Sequence, residues 1–293
     1  MFKQLKKNGL AFNLVTNIIF ILASITIIAP ILLCISVSLS EYDAIYKFGY
    51  TIFPKRISLE AYKYVLGNIA QIIQAYKVSI IVMVLGTTLT LVVTSMYAYV
   101  TSRRDFGGRV FFNYFGFLPM LFSGGLVSTY LWYVSIGMFD NIWVLFLPFA
   151  FNSWYCIILR AFFQTGVPSS IVESAKLDGA SEMRIFFAIV WPISLPSLAS
   201  IALISALGLW NDWNTPLIYI RNEQLYGIQF YLQRVMTNLQ MAIDNSTVTS
   251  YTDVPTESVR MVMCIAGMGP LLFLYPLVQR FFVKGLTIGA VKG

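Results

Sequence analysis

Long uncharged runs, each near the roughly 20 apolar residues that cross a bilayer as a helix, recur along this chain. Six stretches qualify, at about 16–39, 78–101, 110–133, 141–160, 185–209 and 260–279, and none carries a charge near its centre. The pattern predicts an all-α polytopic membrane protein of six transmembrane helices. Between the fourth and fifth runs the pattern changes. Residues Ser170 to Pro196, SIVESAKLDGASEMRIFFAIVWPISLP, read as a short polar helix with a glycine stop between two apolar segments.

Composition fits the bilayer as solvent. Of 293 residues, 58% are hydrophobic and 11% charged, with a mean hydropathy of +0.73. A soluble chain of this length needs far more charge to cover its surface. Lys3, Lys6 and Lys7 precede the first run, as in a secretory signal, but the run is too long for a signal core and five more follow. An uncleaved first helix is expected, with Ser38-Leu39-Ser40 as the alternative cleavage site.

Lys and Arg retained in the cytoplasm set the orientation. With the N-terminus inside, cytoplasmic segments hold Lys3, Lys6, Lys7, Arg103, Arg104, Arg109, Arg160, Lys176, Arg184, Arg280, Lys284 and Lys292. They face only Asp105, Glu173, Asp178 and Glu182. Both termini are therefore expected in the cytoplasm, and the net charge of +7 is a topology signal rather than a nucleic-acid footprint. Cys34, Cys156 and Cys264 lie inside apolar runs, without disulfide or metal spacing, and are expected as small buried hydrophobes.

Pro30 kinks the first helix where serine and threonine hydroxyls can satisfy the freed carbonyl. An outer segment, about 40–77, contains a surface helix from Ser58 to Val65 with Ser58 as its cap. The second helix returns to the basic turn Ser102-Arg103-Arg104-Asp105-Phe106-Gly107-Gly108-Arg109. The run from Val110 to Phe139 exceeds one span, and Pro119 with Ser123-Gly124-Gly125 predicts a break near mid-membrane. Those glycines either line a water-filled path or allow close helix packing. The fourth helix is expected from Asp140-Asn141 to Arg160, with Asn152 and Ser153 inside it and bonding to neighbouring helices. Pro192 and Pro196 bend the fifth near its cytoplasmic end. A second outer segment, about 210–258, closes at the helix start Pro255-Thr256-Glu257.

Gly166 and Pro168 stop the extension of the fourth helix. Ser170 with Glu173 three residues on is a capping-box pattern that starts a short helix near Ile171. Gly179 suits the left-handed residue that ends it. Ala175 and Gly179, four apart beside Ile171, form a small-residue strip that another protein can approach closely. Ser181 caps the next helix, which passes Arg184 into the membrane. An ordinary connection between spans explains part of this, but most connections run only about 4–6 residues.

Glu173-Ser174-Ala175, then Gly179, Ile189 and Pro192, resembles the EAA motif of ATP-binding-cassette importer permeases. The wider pattern from Glu173 to Ala180, followed by Pro192 and Pro196, is similar to the maltose-type carbohydrate-uptake branch. Trp210-Asn211, Pro216 and the terminal Lys284 to Gly293 are similar to the smaller permease subunit of oligosaccharide importers. The resemblance runs from the first helix to the last residue, with Ser174 for alanine and Trp191 for leucine as mild departures. It implies a type I importer permease fold, a single transmembrane domain over 1–293 and a cytoplasmic coupling helix at about 170–180. It also implies that Glu173, Ser174, Ala175, Asp178 and Gly179 dock a cytoplasmic ATPase: Glu173 meets its surface, Ala175 permits close approach and Gly179 sets the turn. The tail Arg280 to Gly293 resembles one that enters the ATPase interface. The implied partners are a second homologous permease, two ATPases that bind ATP and Mg, and an extracellular solute-binding protein. The implied location is the bacterial plasma membrane, and no cofactor or enzymatic activity belongs to this chain itself.

The residues agree with that division of labour. There is no His, and no Asp, Glu, Lys or Arg lies deep in a run, where an ion-coupled transporter needs one. No glycine-rich phosphate loop with its lysine is present, nor a nucleophile–base pair. Two alternatives stand beside the importer reading: a self-sufficient ion-coupled secondary transporter or channel, and a membrane scaffold anchored through the short helix. Tyr97, Asn152, Trp154, Tyr155 and Asn211 are candidate sugar contacts, since sugars stack on aromatic faces and bond to amides. Interfacial belts and helix packing explain the same residues, and in maltose-type importers the larger permease holds most sugar contacts. Asn245-Ser246-Thr247 is a glycosylation sequon read as chance.

Overall fold

The computed structural model describes residues 2–245 and 256–270, with side chains from residues 12–241 and 256–270. Among them all regular elements are helices, and the pairing of Ser40 with Ile57 is an isolated bridge. The tail from Arg280, residues 271–279 of the sixth apolar run and all of the sequon except Asn245 lie outside the described residues.

The chain divides into two compact units. The first, residues 1–69 with 235–269, contains α1 (Phe2–Ser38), α2 (Tyr42–Phe48), α3 (Glu60–Leu66) and nearly all of a helix over residues 256–270. In α1, which contains Pro30, Ser24 and Thr26 donate to the Phe20 and Leu22 carbonyls one turn back. Side chains tie the loop after α1 to the start of the 256–270 helix. Ser258 donates to the Ser40 carbonyl at 2.8 Å, and the Tyr50 hydroxyl donates to Glu257 at 2.6 Å. The Ser58 hydroxyl accepts from Glu60 N at 3.2 Å, so it supports the entry to α3, which starts two residues later.

The second unit holds α4 (Ile69–Ser102) from Ala70 onward, α5 (Arg109–Leu121), α6 (Gly125–Ser135), α7 (Ser153–Gly166), α8 (Ser169–Leu177) and α9 (Glu182–Ile185). It continues through α10 (Trp191–Ile193), α11 (Leu195–Trp210), α12 (Asn214–Tyr219) and the first turns of α13 (Ile228–Asn245). Residues 12–38 of α1, and α4, are long and apolar enough to cross a membrane unbroken. Three bent pairs qualify as broken spans: α5 with α6 at 111°, residues 142–149 with α7 at 42°, and residues 182–193 with α11 at 83°.

Each break has a local cause. Phe122 is extended and Gly125 is left-handed, at φ +78°, so the chain turns at the Ser123-Gly124-Gly125 interruption. Pro192, Ser194 and Pro196 mark the 83° bend, and a π-helical turn over Phe186–Val190 precedes it, where proline removes ladder donors. The fourth element departs from the sequence expectation. Ile142–Leu145 and Leu147–Phe149 are 3-10 turns, and the α-helix starts only at Ser153 and runs to Gly166. Asn152 lies outside that helix as its cap, accepting from Tyr155 N at 3.1 Å. Threonines of α4 bond to this irregular backbone: Thr90 donates to the Phe149 carbonyl at 2.7 Å and Thr94 accepts from Asn152 N at 3.4 Å. Non-helical backbone at membrane depth needs such partners.

Two clusters form the core of this unit. Val78 and Val82 on the first half of α4 pack with Val144, Leu145, Leu209 and Phe230. Ala98 and Tyr99 on its second half pack with Leu159, Phe163, Ile185, Phe186 and Val190. That second cluster is the seat of α8. Cys156 is buried as expected, whereas Cys264 is exposed.

Candidate functional site: the α8 elbow and its charge ring

The chain leaves α7 at Gly166, passes Val167 in extended conformation and enters α8 from Pro168, whose ψ of 128° is also extended. Proline fixes φ and presets this entry. The expected capping box does not form. Ser170 falls inside the first turn of α8, and Pro168 occupies the capping position without a side-chain bond.

The other end matches its sequence signal. Gly179 sits at φ +78°, its N–H bonds to the Lys176 carbonyl at 3.0 Å, and Ala180 N–H bonds to the Ala175 carbonyl at 3.0 Å. This is a left-handed glycine cap that satisfies two terminal carbonyls, and a Cβ at that φ costs roughly 1–2 kcal/mol. Ser181 then caps α9, accepting from Arg184 N at 3.4 Å.

Four charged residues close a ring around this elbow. Arg103, just past α4, donates to Asp105 at 2.8 Å and to Glu182 at 2.9 Å. Lys176 of α8 donates to the same two carboxylates, at 3.0 and 2.7 Å. Arg103 also donates to the Tyr99 hydroxyl at 2.9 Å. Opposite charges thus alternate around the ring, and α8 is tied both to the end of α4 and to α9. Arg103 beside it, with Lys176 next, holds the Asp105 carboxyl well below the usual carboxylate range. Glu182, then Asp105, push the Lys176 ammonium above its ordinary value.

Burial divides α8 into two faces. Val172 is 9% exposed and Ala175 is half-buried, both against the second core cluster. Ala175 is therefore small at least in part because α8 lies close on its own protein, an inward role that the small-residue strip did not suggest. Glu173, Ser174, Asp178 and Gly179 are exposed. So are Ile171 and, at 90%, Leu177.

Of the candidate sugar contacts, Tyr97 and Tyr155 both pack against the second core cluster. Tyr97 lines a cavity with residues of α5 and α7, and its hydroxyl donates to the Phe112 carbonyl at 2.5 Å. Asn152 is the cap of α7. Trp154 is exposed and Tyr155 packs against the second core cluster. Asn211 ends α11, donating to the Leu207 carbonyl at 2.9 Å.

Sequence reasoning missed Leu177 and the ring. Leu177 could have been found as a large apolar residue set between Lys176 and Asp178. Arg103 and Glu182 lie 79 positions apart, and nothing local in the sequence pairs them.

Comparison with known proteins places this geometry. Residues 102–288, which include the ring and the elbow, match the family described as binding-protein-dependent transport system inner membrane component. The chain is 35% identical to YtcP of Bacillus subtilis, a polygalacturonan/rhamnogalacturonan transport system permease protein, over 98% of this chain and 100% of that one. It is 28% identical to the trehalose/maltose transport system permease protein MalG of Thermococcus litoralis, over 93% and 94%. Among solved structures, a bacterial ABC transporter involved in the import of the acidic polysaccharide alginate superposes with a TM-score of 0.78 at 25% identity, covering 92% of this chain and 96% of that one. The chain therefore belongs to the inner membrane components of binding-protein-dependent transport systems, and is a multi-pass permease subunit of an ATP-binding-cassette importer rather than an enzyme.

Proposed function

We propose that this chain is the smaller permease of an ATP-driven oligosaccharide importer in the bacterial plasma membrane, and that α8 is its coupling helix. The supporting relatives carry saccharides, acidic and neutral alike. A second homologous permease completes the pathway, and an extracellular solute-binding protein delivers the sugar. Two cytoplasmic ATPases bind ATP and Mg. Six spans with both termini inside put α8 on the ATPase side.

The observation that carries this reading is an exposed nine-residue helix held to its own protein at both ends and by the ring. Glu173, Ser174 and Asp178, with Leu177, face outward to meet the ATPase. Ala175 and Val172 hold the helix to the permease, and Gly179 sets the elbow. A stiff lever of this kind passes ATPase closure into α4 and the bent α9–α11 span.

The test is reconstitution of the complete importer with Glu173→Ala and Gly179→Ala in this chain. Sugar uptake and sugar-stimulated ATP hydrolysis should both fall. Wild-type coupling in both variants would sink the docking role.

A further inference from the structure

Beside the ring, a cavity of about 300 Å³ is lined by residues of α4, α9 and the turn after α4. Its arginine, Arg103, is balanced by Asp105 and Glu182. A larger cavity of about 470 Å³ lies between α4, α5 and α7. Arg160 is in its wall, and no acidic residue lines it. Arg160 makes no ion pair among the described residues. Its Nε is sealed from solvent and has no hydrogen-bond acceptor.

The position of Arg160 sharpens the anomaly. Sequence reasoning ended the fourth helix at this residue, where an arginine can reach water freely. Instead α7 continues to Gly166, about 9 Å further at 1.5 Å per residue. Arg160 thus sits within a bent pair that qualifies as a span. An ionisable group there marks a functional site unless something pairs it.

Among apolar residues such as Phe117 and Ile157, the wall also carries polar groups that suit a saccharide. Asn113, Tyr114 and Ser153 supply an amide and two hydroxyls. Tyr97 is fixed in place, its ring edge-on to Phe151 with centroids 5.0 Å apart and its hydroxyl bound to Phe112. Gly116 makes room for that ring, since a Cβ there would come within 2.7 Å of it. The volume lies within the range of small-ligand sites.

A guanidinium presents a planar fork of N–H donors that fits a carboxylate through two parallel bonds. We propose that this cavity takes the carboxylate of an acidic saccharide, with Arg160 as its counter-ion. The inference rests on the carbohydrate-importer reading and goes beyond it, because a neutral oligosaccharide needs no unpaired cation in the wall.

The experiment compares wild type, Arg160→Gln and Arg160→Lys in the complete reconstituted importer, with assembly and melting temperature as folding controls. The probes are trigalacturonate and its carboxyl-reduced, neutral counterpart, in vesicles with and without anionic lipid. Arg160→Gln should lower trigalacturonate uptake by about tenfold or more, the effect of losing a charge-assisted bond. Neutral-sugar uptake should change far less, and Arg160→Lys should restore part of the acidic transport.

Equal losses for the two sugars, or no loss, would overturn the proposal. So would a defect seen only with anionic lipid, which would assign Arg160 to a headgroup phosphate. Wild type that carries the neutral sugar alone would overturn it too, while leaving the importer function intact. Wild type that carries neither sugar, nor any other saccharide, would instead remove the carbohydrate reading beneath it.

Discussion

Cutting the charge ring at Arg103 asks whether α8 is held stiffly enough to transmit work. Arg103→Ala removes the pairs to Asp105 and Glu182 and the bond to the Tyr99 hydroxyl. It also removes the guanidinium from over the Tyr99 ring, 5.6 Å from the centroid. Asp105 and Glu182 are 55% and 57% exposed, so each pair belongs in the surface range of about 0.2–1 kcal/mol. Arg103 itself is only 16% exposed, and its contact with tyrosine adds roughly 0.5–1 kcal/mol. Together these contribute about 2 kcal/mol, on the order of a 30-fold change in local opening.

Amide hydrogen exchange across Ser169–Ala180, on purified permease in nanodiscs at low salt, reads this directly. Exchange should accelerate by that order in α8 and in the turn after α4, and leave the helix over residues 256–270 unchanged. High salt should shrink the difference, because half-exposed pairs are screened. A cycle with Glu182→Ala should show the two losses to be less than additive, since the residues share a bond. If α8 exchanges in Arg103→Ala within about threefold of wild type, the ring does not hold the helix and the reasoning fails.

Three further expectations follow from the same geometry. The carboxyl of Asp105 titrates below its unfolded value, so its contribution is complete above about pH 5 and lost as the pH falls through the usual carboxylate range towards the folded value. Lys176 is shifted upward, so its contribution is complete below about pH 10 and lost only as the pH rises through its folded value; α8 protection should therefore stay flat between those limits, measured by exchange corrected for intrinsic rates. Leu177→Ser removes no buried contact, so the melting temperature should hold while ATPase co-purification falls; intact co-purification would take Leu177 out of the interface. Thr90→Val leaves the Phe149 carbonyl without its hydroxyl and should cost about 0.6–1.7 kcal/mol, read as a lower melting temperature in detergent.

The sequence by itself determined the class of molecule and the glycine stop that ends α8. Lengths of uncharged chain require helices in lipid, and Gly179 could be recognised because a left-handed terminus strongly favours glycine. The breaks at Gly124-Gly125 and near Pro192 were legible for the same local reason: these residues act on their own backbone. The fourth helix was misjudged because hydropathy does not distinguish an α-helix from 3-10 turns ending at an asparagine cap. The Ser170 capping box was misjudged because Pro168 had already fixed the entry.

Tertiary structure alone decided the rest. Ala175 faces its own core, Tyr97 and Tyr155 pack against that same cluster, and Arg160 stands in a cavity wall without a counter-charge. Arg103, Asp105, Lys176 and Glu182 form one electrostatic object from three stretches of chain. Periodicity and caps act over a few residues and can be read along the chain. Charge balance acts through space over a few ångströms, and only the fold decides which charges come within that reach.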